Sequence, residues 1–262
     1  MKKKLWVIKI GGNVLDDALS LEIFLNAFSK IEGFKVLVHG GGKIATQLGS
    51  KLGIGHHMVN GRRVTDSQTL DLVTMVYGGL INKNLVAKLQ SLGCNAIGLC
   101  GADANIFPAK KRLVVDVDFG FVGDIAVDLL QASRLQLFLD ANLSMVIAPL
   151  THDGQGHILN TNADTMASAI ASVLAAEYDT ELIYCFEKEG VLDNQEKVMV
   201  ELHEQQFDKL VSEGTILAGM IPKLTNSFSA LHSGVKEVRI LQASALMDVI
   251  NGSLDTGTRV FT

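Results

Sequence analysis

Short apolar runs and amphipathic stretches alternate along almost the entire chain. Apolar runs bounded by glycine or polar residues predict buried β-strands at residues 5–9, 34–38, 95–99, 145–150, 182–186 and from 240 onward. Between them, apolar residues recur every three or four positions, which predicts helices at 20–31, 43–52, 65–92, 133–141 and 202–213, and one that opens within 158–164 and runs to about 176. Strands that alternate with helices require crossover connections, so the pattern predicts an α/β fold with a mostly parallel sheet.

The longest predicted helix has three features of its own. It begins at Thr65, with Gln68 three residues later as the second half of a capping box. Its buried stripe includes Leu80. Gly78 and Gly79 near its middle indicate a kink or a close backbone contact, for which a second subunit is one candidate neighbour.

Two segments have the pattern of hairpins rather than of crossover units. Residues 53–61 carry two histidines on a predicted loop or hairpin. Residues 110–128 place valines, Val114 and Val115 among them, before two glycines, which predicts an antiparallel hairpin.

The composition narrows the class of protein. With 262 residues, 48% of them hydrophobic, the chain can form one large α/β domain or two lobes with a shared core. The best candidate for the boundary between two lobes, here called the seam, lies near 177–180. A net charge of −5 without a long basic run argues against nucleic acid as a partner. No apolar run approaches the ~18 residues of a membrane span. The three isolated cysteines are typical of a reducing cytoplasm, where we expect the protein.

Two glycine loops follow the first two predicted strands. Lys9 lies at the end of the first strand and is followed by Gly11 and Gly12; glycines 40–42 follow the second. A lysine beside bare backbone N–H groups suits a polyanion, although the first loop alone is better explained as an ordinary turn after an edge lysine. The two loops together suggest one cradle.

Known nucleotide motifs fit the second loop poorly. Gly40, Gly42 and Ala45 satisfy the dinucleotide fingerprint, but the acidic residue expected about 20 positions later is absent. A Walker A loop fails because Leu37 replaces its first glycine and Ile44 follows the lysine.

Three further stretches carry polar side chains next to predicted helix starts. Arg63 is suited to bidentate binding of a carboxylate or phosphate, or belongs to a solvated arginine pair. Asn160 offers an amide, and Asp164 either acts in a site or stabilises its helix. Lys223 directly follows Pro222 in the first helical turn, where a cation is unfavourable unless it faces an anion. No zinc, nucleophile-elbow or cysteine–base pattern accompanies them.

As a set and in this order, five motifs resemble the amino acid kinase family: WVIKIGGN, LVHGGGK, NGRRVT, ILNTNAD and GMIPK. The resemblance implies an open three-layer α/β sandwich around a mainly parallel sheet of about eight strands. It implies an N-terminal lobe, residues 1–176, that binds an acylglutamate and forms the homodimer, and a C-terminal lobe, residues 177–262, that binds ATP.

The same resemblance implies ATP-dependent phosphorylation of the γ-carboxylate of N-acetyl-L-glutamate, a step of arginine biosynthesis. Magnesium would be held mainly by the ATP oxygens, so no protein metal ligand is expected. The alternatives are the same reaction on N-succinyl-L-glutamate, a related carbamate or amino acid kinase, or a noncatalytic ligand sensor. In this family, the members inhibited by arginine resemble hexamers held together by an extra N-terminal helix. Because the first predicted strand begins at residue 5, we expect no such helix, and therefore a dimer that is insensitive to arginine.

The resemblance implies a role for each residue that matches a family motif. Lys9 matches the lysine at the transferring phosphoryl group, Lys223 matches the lysine at the nucleotide phosphates, and Asp164 matches the aspartate that holds both lysines. The remaining implied ligands are Gly11 and Gly12 for the ATP phosphates, and Gly40, Gly41, Arg63 and Asn160 for the acylglutamate.

One three-residue stretch and one single position depart from the family pattern. Glu187, Lys188 and Glu189 replace a stretch that usually contains an aspartate at the nucleotide site. Arg62 replaces a leucine or methionine beside the acetyl methyl. Arg62 either binds a carboxylate on the acyl group or, because neighbours on a strand face opposite sides, points to solvent.

Overall fold

The computed structural model describes residues 2–59, 62–216 and 219–262. The strands in these ranges are short, except for some strands of the central sheet. In chain order the strands are β1 (Lys4–Ile10), β2 (Phe34–His39), β3 (His57–Val59), β4 (Arg62–Val64), β5 (Ala96–Leu99), β6 (Ala109–Lys111), β7 (Gly123–Ile125), β8 (Ser144–Ile147), β9 (Leu150–His152), β10 (Ile158–Asn160), β11 (Asp179–Phe186), β12 (Glu201–His203), β13 (Glu237–Gln242) and β14 (Thr258–Phe261).

Eight of these strands form the central sheet, in the order β12-β14-β13-β11-β1-β2-β8-β5. All neighbouring pairs are parallel except β13 and β14. The predicted α/β fold with a mostly parallel sheet of about eight strands is therefore confirmed. β1, the first predicted strand, lies in the middle of the sheet between β11 and β2.

Helices cover both faces of the sheet. They are α1 (Gly12–Asp16), α2 (Ala18–Lys30), α3 (Gly42–Lys51), α4 (Ser67–Val73), α5 (Asn82–Ser91), α6 (Ala132–Asp140), α7 (Ala163–Ala175), α8 (Glu204–Ser212), α9 (Ile221–His232) and α10 (Leu246–Ile250). None of the helices in the described ranges has the length and apolar character needed to span a bilayer.

Alternation along β1 divides the core into two apolar layers. Val7 belongs to one layer, with α7 and α9 residues such as Ile170 and Phe228. Trp6 belongs to the other, with Phe24 of α2. Successive side chains of a strand point to opposite faces, so a strand that is apolar at every position is buried on both sides and the molecule has three layers.

The longest predicted helix is continuous but differs in detail from the prediction. Its N-cap is Asp66, whose side chain accepts a hydrogen bond from Thr69 N at 2.8 Å, so the capping box at Thr65 was wrong. A π-helical segment, Thr74–Ile81, joins α4 to α5 in place of a kink. Its wider turn changes which side chains face the core, and Leu80, predicted to be buried, is 50% exposed.

Both predicted hairpins form. β3 pairs antiparallel with β4; the connecting residues 60 and 61 lie outside the described residues. β6 pairs antiparallel with β7. The valines predicted to build the second hairpin lie instead in its loop, where Val114 is 63% and Val115 is 84% exposed.

Candidate active site

The site lies at the carboxyl ends of β1 and β2, which are adjacent and parallel. Each strand leads into one of the two glycine loops, so the loops meet as predicted. Gly40 N donates to Ile10 O at 3.1 Å, and Gly11 N donates to Cys185 O at 3.0 Å. These two amides fix the loops to the sheet and are not available to a ligand in this arrangement.

The next glycine in each loop opens a helix. Gly12 is the first residue of α1, and Gly41 is the N-cap of α3, so their amides point away from the sheet ladder. Gly41 has φ +155°, and a Cβ there would lie 2.5 Å from Ile81 Cδ1 and 2.9 Å from Tyr77 Cδ1. The close approach of the π-helical segment therefore requires glycine at this position.

Three charged side chains from distant parts of the chain form the centre of the site. Lys9 Nζ lies 2.7 Å from Asp164 Oδ1, and Lys223 Nζ lies 3.1 Å from Asp164 Oδ2. The second contact is a hydrogen bond, whereas the first is close but poorly directed, so Oδ1 has no well-aligned donor among the described residues. All three side chains are at most 17% exposed.

The charges of this cluster depend on one another. Burial alone raises the pKa of Asp164, but attraction to Lys9 and Lys223 together outweighs it and holds the pKa of this carboxyl well below its usual range. Burial lowers the pKa of Lys223, an effect that Asp164 opposes. Lys223 Nζ also lies 4.8 Å from the ring centroid of Tyr184. Two cations around one anion leave an excess positive charge that suits a phosphate.

Asp164 and Lys223 are each positioned by the first turn of a helix. Asn162 is the N-cap of α7, and its Oδ1 accepts from Asp164 N at 2.9 Å and from Thr165 N at 3.0 Å. Lys223 lies in the first turn of α9, beside Pro222, as predicted. The carboxylate of Asp164 offsets the unfavourable position of this lysine at a helix N-terminus.

A cavity of about 150 Å³, whose lining includes Ala163 directly before Asp164, brings together the residues predicted to bind the acylglutamate. Arg63 is 7% exposed and Asn160 is 8% exposed. Arg63 Nη2 donates to Gly42 O at 2.9 Å and to Thr46 Oγ1 at 2.7 Å. The cavity lining consists of Gly40, Gly41, Gly42, Met58, Arg62, Arg63, Tyr77, Val122, Pro149, Asn160, Thr161, Asn162 and Ala163.

The lining includes residues that sequence reasoning treated differently. Arg62, for which the sequence left two alternatives open, is half-buried and lines the cavity together with Arg63, so it is not simply a solvent-exposed residue of the hairpin. Tyr77, which comes from the π-helical segment, was not singled out. Its place on an apolar helix stripe is that of an ordinary core residue, and the sequence offers no signal that distinguishes it.

His39, the last residue of β2, is a structural histidine. It is fully buried; its Nδ1 lies 2.8 Å from Gly40 O and its Nε2 lies 3.2 Å from Asn82 Nδ2. Burial lowers the pKa of His39 to about 4, so the ring is neutral at pH 7. A neutral ring with Nδ1–H donating to Gly40 O and Nε2 accepting from Asn82 supports the second glycine loop.

The segment that departs from the family pattern, Glu187 to Glu189, is exposed directly after β11. β11 pairs with β1 up to Ile10 and Cys185, so this segment begins beside the first glycine loop. Within the described ranges, no group of three or more histidine, cysteine, aspartate or glutamate side chains is arranged to hold a metal ion.

Comparison with known proteins agrees with the motifs. The profile of the amino acid kinase family matches residues 4–242. The chain belongs to the amino acid kinase family. An acetylglutamate kinase of Bacteroides fragilis is 51% identical over 263 aligned positions, which cover 99% of this chain and 98% of that protein.

Solved structures give the same fold. The smu.665 protein of Streptococcus mutans UA159 superimposes with a TM-score of 0.80 at 29% identity, covering 100% of this chain and 99% of that one. Carbamate kinase from Giardia lamblia, bound to citric acid, superimposes with a TM-score of 0.68 at 17% identity over 100% of this chain and 99% of that one, which supports the fold alone.

Proposed function

We propose that this protein is an acetylglutamate kinase: it transfers the γ-phosphoryl group of ATP to the γ-carboxylate of N-acetyl-L-glutamate, forming N-acetyl-L-glutamyl 5-phosphate for arginine biosynthesis. The main structural support for this proposal is the Lys9–Asp164–Lys223 cluster together with the cavity lined by Arg63 and Asn160. The 51% identity to the acetylglutamate kinase of Bacteroides fragilis supports the choice of acceptor.

The chemistry needs no general base. A carboxylate is already ionised at neutral pH, so it is a ready nucleophile. The barrier comes from repulsion between two anions and from charge that spreads over the phosphoryl oxygens. Lys9 and Lys223 lie where they would offset both. Asp164 holds the two ammonium groups in place, and its lowered pKa keeps it ionised while it does so.

The glycine loops and the cavity complete the proposed binding sites. Gly12 would donate its amide to the ATP phosphates, and Gly11 would allow close approach, since its own amide is bonded to Cys185 O. On the acceptor side, Gly41 would donate to the γ-carboxylate while Gly40 shapes the loop. Arg63 would bind the α-carboxylate with the Nε and Nη1 side of its fork, and Asn160 would orient the acceptor.

Magnesium fits this arrangement as a companion of ATP. The described residues lack a cluster of acidic ligands, so in our proposal the ion is held by phosphate oxygens. Its chemistry there is to neutralise charge on the β- and γ-phosphates.

For the two lobes we propose the functions that the family resemblance implies. Residues 1–176 would bind the acceptor and residues 177–262 would bind ATP. The contact between Asp164 and Lys223 supports this division, since it joins the two proposed lobes where donor and acceptor must meet.

We also propose that the protein is a homodimer, located in the cytoplasm. Met75 is 58% and Leu80 is 50% exposed on the π-helical segment, and a Cβ built on Gly79 between them would meet no atom within 4 Å. A second copy would cover this apolar surface. Sedimentation should show a dimer that Met75→Glu and Leu80→Glu dissociate, while Leu137→Glu, at a 67% exposed leucine of α6, leaves it intact. A monomeric wild type would contradict the proposal.

The activity is tested by ADP release with ATP and magnesium against N-acetylglutamate, glutamate, aspartate, carbamate and uridylate. Hydroxylamine in the same assay traps an acyl phosphate as its hydroxamate. We expect ADP and hydroxamate in equal amounts with N-acetylglutamate. Turnover of carbamate or a free amino acid instead would move the protein to another branch of the family, and binding of N-acetylglutamate without ADP release would indicate a sensor.

A further inference from the structure

Arg62 is a cation of the acceptor cavity that the proposed reaction leaves without a function. It lies next to Arg63 on β4, and both residues line the cavity. Its side chain is half-buried. Among the described residues, its guanidinium takes part in no hydrogen bond or ion pair, unlike that of Arg63.

The carboxylate that attracts Arg62, that of Asp124, is already engaged by Arg112. Arg112 Nε donates to both carboxylate oxygens of Asp124 at 3.1 Å, and its Nη2 also contacts Asp124. Burial and then Arg112 lower the pKa of Arg62, and Asp124 only partly opposes them. Arg62 is thus held in a half-buried position next to another cation, an arrangement that an additional anion would relieve.

The charges of the cavity do not balance with an acetyl substrate. The charged residues of the lining are Arg62 and Arg63, and no carboxylate lines the cavity within the described residues. In the proposed reaction the α-carboxylate pairs with Arg63, and the γ-carboxylate faces the glycine loop and the lysines. An acetyl methyl gives Arg62 nothing to bind, whereas Met58 and Val122 can contact the methylenes of a longer chain.

We propose that Arg62 binds a carboxylate at the end of the acyl chain, so that the preferred acceptor is an N-acylglutamate of a dicarboxylic acid, such as N-succinyl-L-glutamate. This inference rests on the proposed function. The transfer itself is unchanged: the bond from the γ-phosphorus to the bridging oxygen of ATP breaks, a bond from that phosphorus to the γ-carboxylate oxygen forms, and ADP leaves. Arg62 determines specificity and does not touch the reacting atoms.

The wild-type enzyme provides the first test. We would measure kcat/KM with ATP and magnesium for N-acetyl-, N-butyryl- and N-succinyl-L-glutamate. The butyryl compound matches the four-carbon succinyl chain but ends in a methyl group, so it separates chain length from charge. A charged hydrogen bond should favour succinyl over butyryl by about tenfold to a hundredfold, mainly through KM. A wild type that uses succinyl no better than butyryl overturns the inference, with no variant required.

Variants then test whether Arg62 causes the preference for the succinyl over the butyryl acceptor. Arg62→Leu should bring the succinyl-to-butyryl ratio near one while raising kcat/KM for the uncharged acceptors or leaving it within a few-fold. Arg62→Lys should retain part of the preference, because it keeps the charge without the fork. Lys88→Gln, which removes an exposed charge from α5, should keep the wild-type ratio.

The outcomes separate this inference from the proposed function. If Arg62→Leu lowers kcat/KM for all three acceptors equally, Arg62 shares the α-carboxylate with Arg63 and the inference is wrong while the kinase assignment stands. If no acylglutamate is phosphorylated by the wild type, the proposed function has failed and the inference fails with it.

Discussion

In the proposed mechanism, Asp164 organises the site without performing its chemistry. Its two oxygens face Lys9 at 2.7 Å and Lys223 at 3.1 Å, so the two ammonium groups are held near each other despite their repulsion. Removing one partner of a buried charge cluster leaves the others uncompensated, which is more costly than the net value of the contact. A change at any of the three residues therefore affects the other two.

Replacing Lys9 by methionine should lower kcat about a hundredfold, the ~3 kcal/mol typical of one group that stabilises developing charge. ATP affinity should remain within several-fold, because Lys223 and the loop amides would still face the phosphates. Lys30→Met, at an exposed lysine of α2, is the matched control and should leave turnover unchanged. Near-normal turnover of Lys9→Met would remove this residue from the mechanism.

His39 should make the stability of the fold depend on pH. Its folded pKa is about 4 against a reference of 6.5, so the unfolded state takes up a proton first as the pH falls. The contribution is complete above about pH 6.5 and is lost as the pH falls to about 4, by a total of about 3 kcal/mol.

Urea unfolding at pH 7.5 and at pH 5 measures this loss. The decrease in the free energy of unfolding should be larger for the wild type than for His39→Gln by about 2 kcal/mol. His56→Gln removes an exposed histidine and should retain the wild-type decrease. Equal decreases in wild type and His39→Gln would show that the His39 ring is not held neutral.

At the scale of elements, α7 depends on its cap. Asn162→Ala removes the acceptor for the amides of Asp164 and Thr165, which should lower the free energy of unfolding by about 1 kcal/mol. It should also lower kcat, since the backbone of Asp164 loses its anchor. Asn162→Ser retains a capping oxygen and should recover most of both losses. A stability loss without any change in kcat would separate the cap from the position of Asp164.

Most elements were predictable from apolar periodicity, and the errors have local causes. The pattern assumed 3.6 residues per turn between 65 and 92, whereas Thr74–Ile81 is π-helical, so Leu80 was placed on the wrong face. Val114 and Val115 have high β-propensity but lie in an exposed loop. β-Propensity describes packing on a pleated surface, and none of the strands that the structure describes pairs with them there.

The site was predictable only as a set of motifs. Lys9, Asp164 and Lys223 are separated by most of the chain, and no spacing rule brings them together; the family resemblance alone did so. The place of Arg62 in the cavity lining could not be predicted either, because alternation along a three-residue strand does not determine which residues border a cavity.

At the scale of the whole molecule, the proposed lobes are joined by the sheet rather than by a linker. β11 begins within the predicted seam and pairs with β1 from Lys4↔Asp179 to Ile10↔Cys185. Both apolar layers contain residues from each side of the seam: Leu182 packs in the layer of Val7, and Ile183 packs in the layer of Trp6. Neither lobe can lose its structure without exposing the core of the other.

The two lobes should therefore unfold together. Cys94, which is 5% exposed, and Cys185, which is 1% exposed, are buried thiols on opposite sides of the seam. Pulse alkylation across a urea series, followed by mass spectrometry, should give both thiols the same midpoint, while partly exposed Cys100 confirms that the reagent is active. If Cys185 became reactive at a lower urea concentration than Cys94, residues 177–262 would form a separate unfolding unit and the continuous sheet would not couple the lobes.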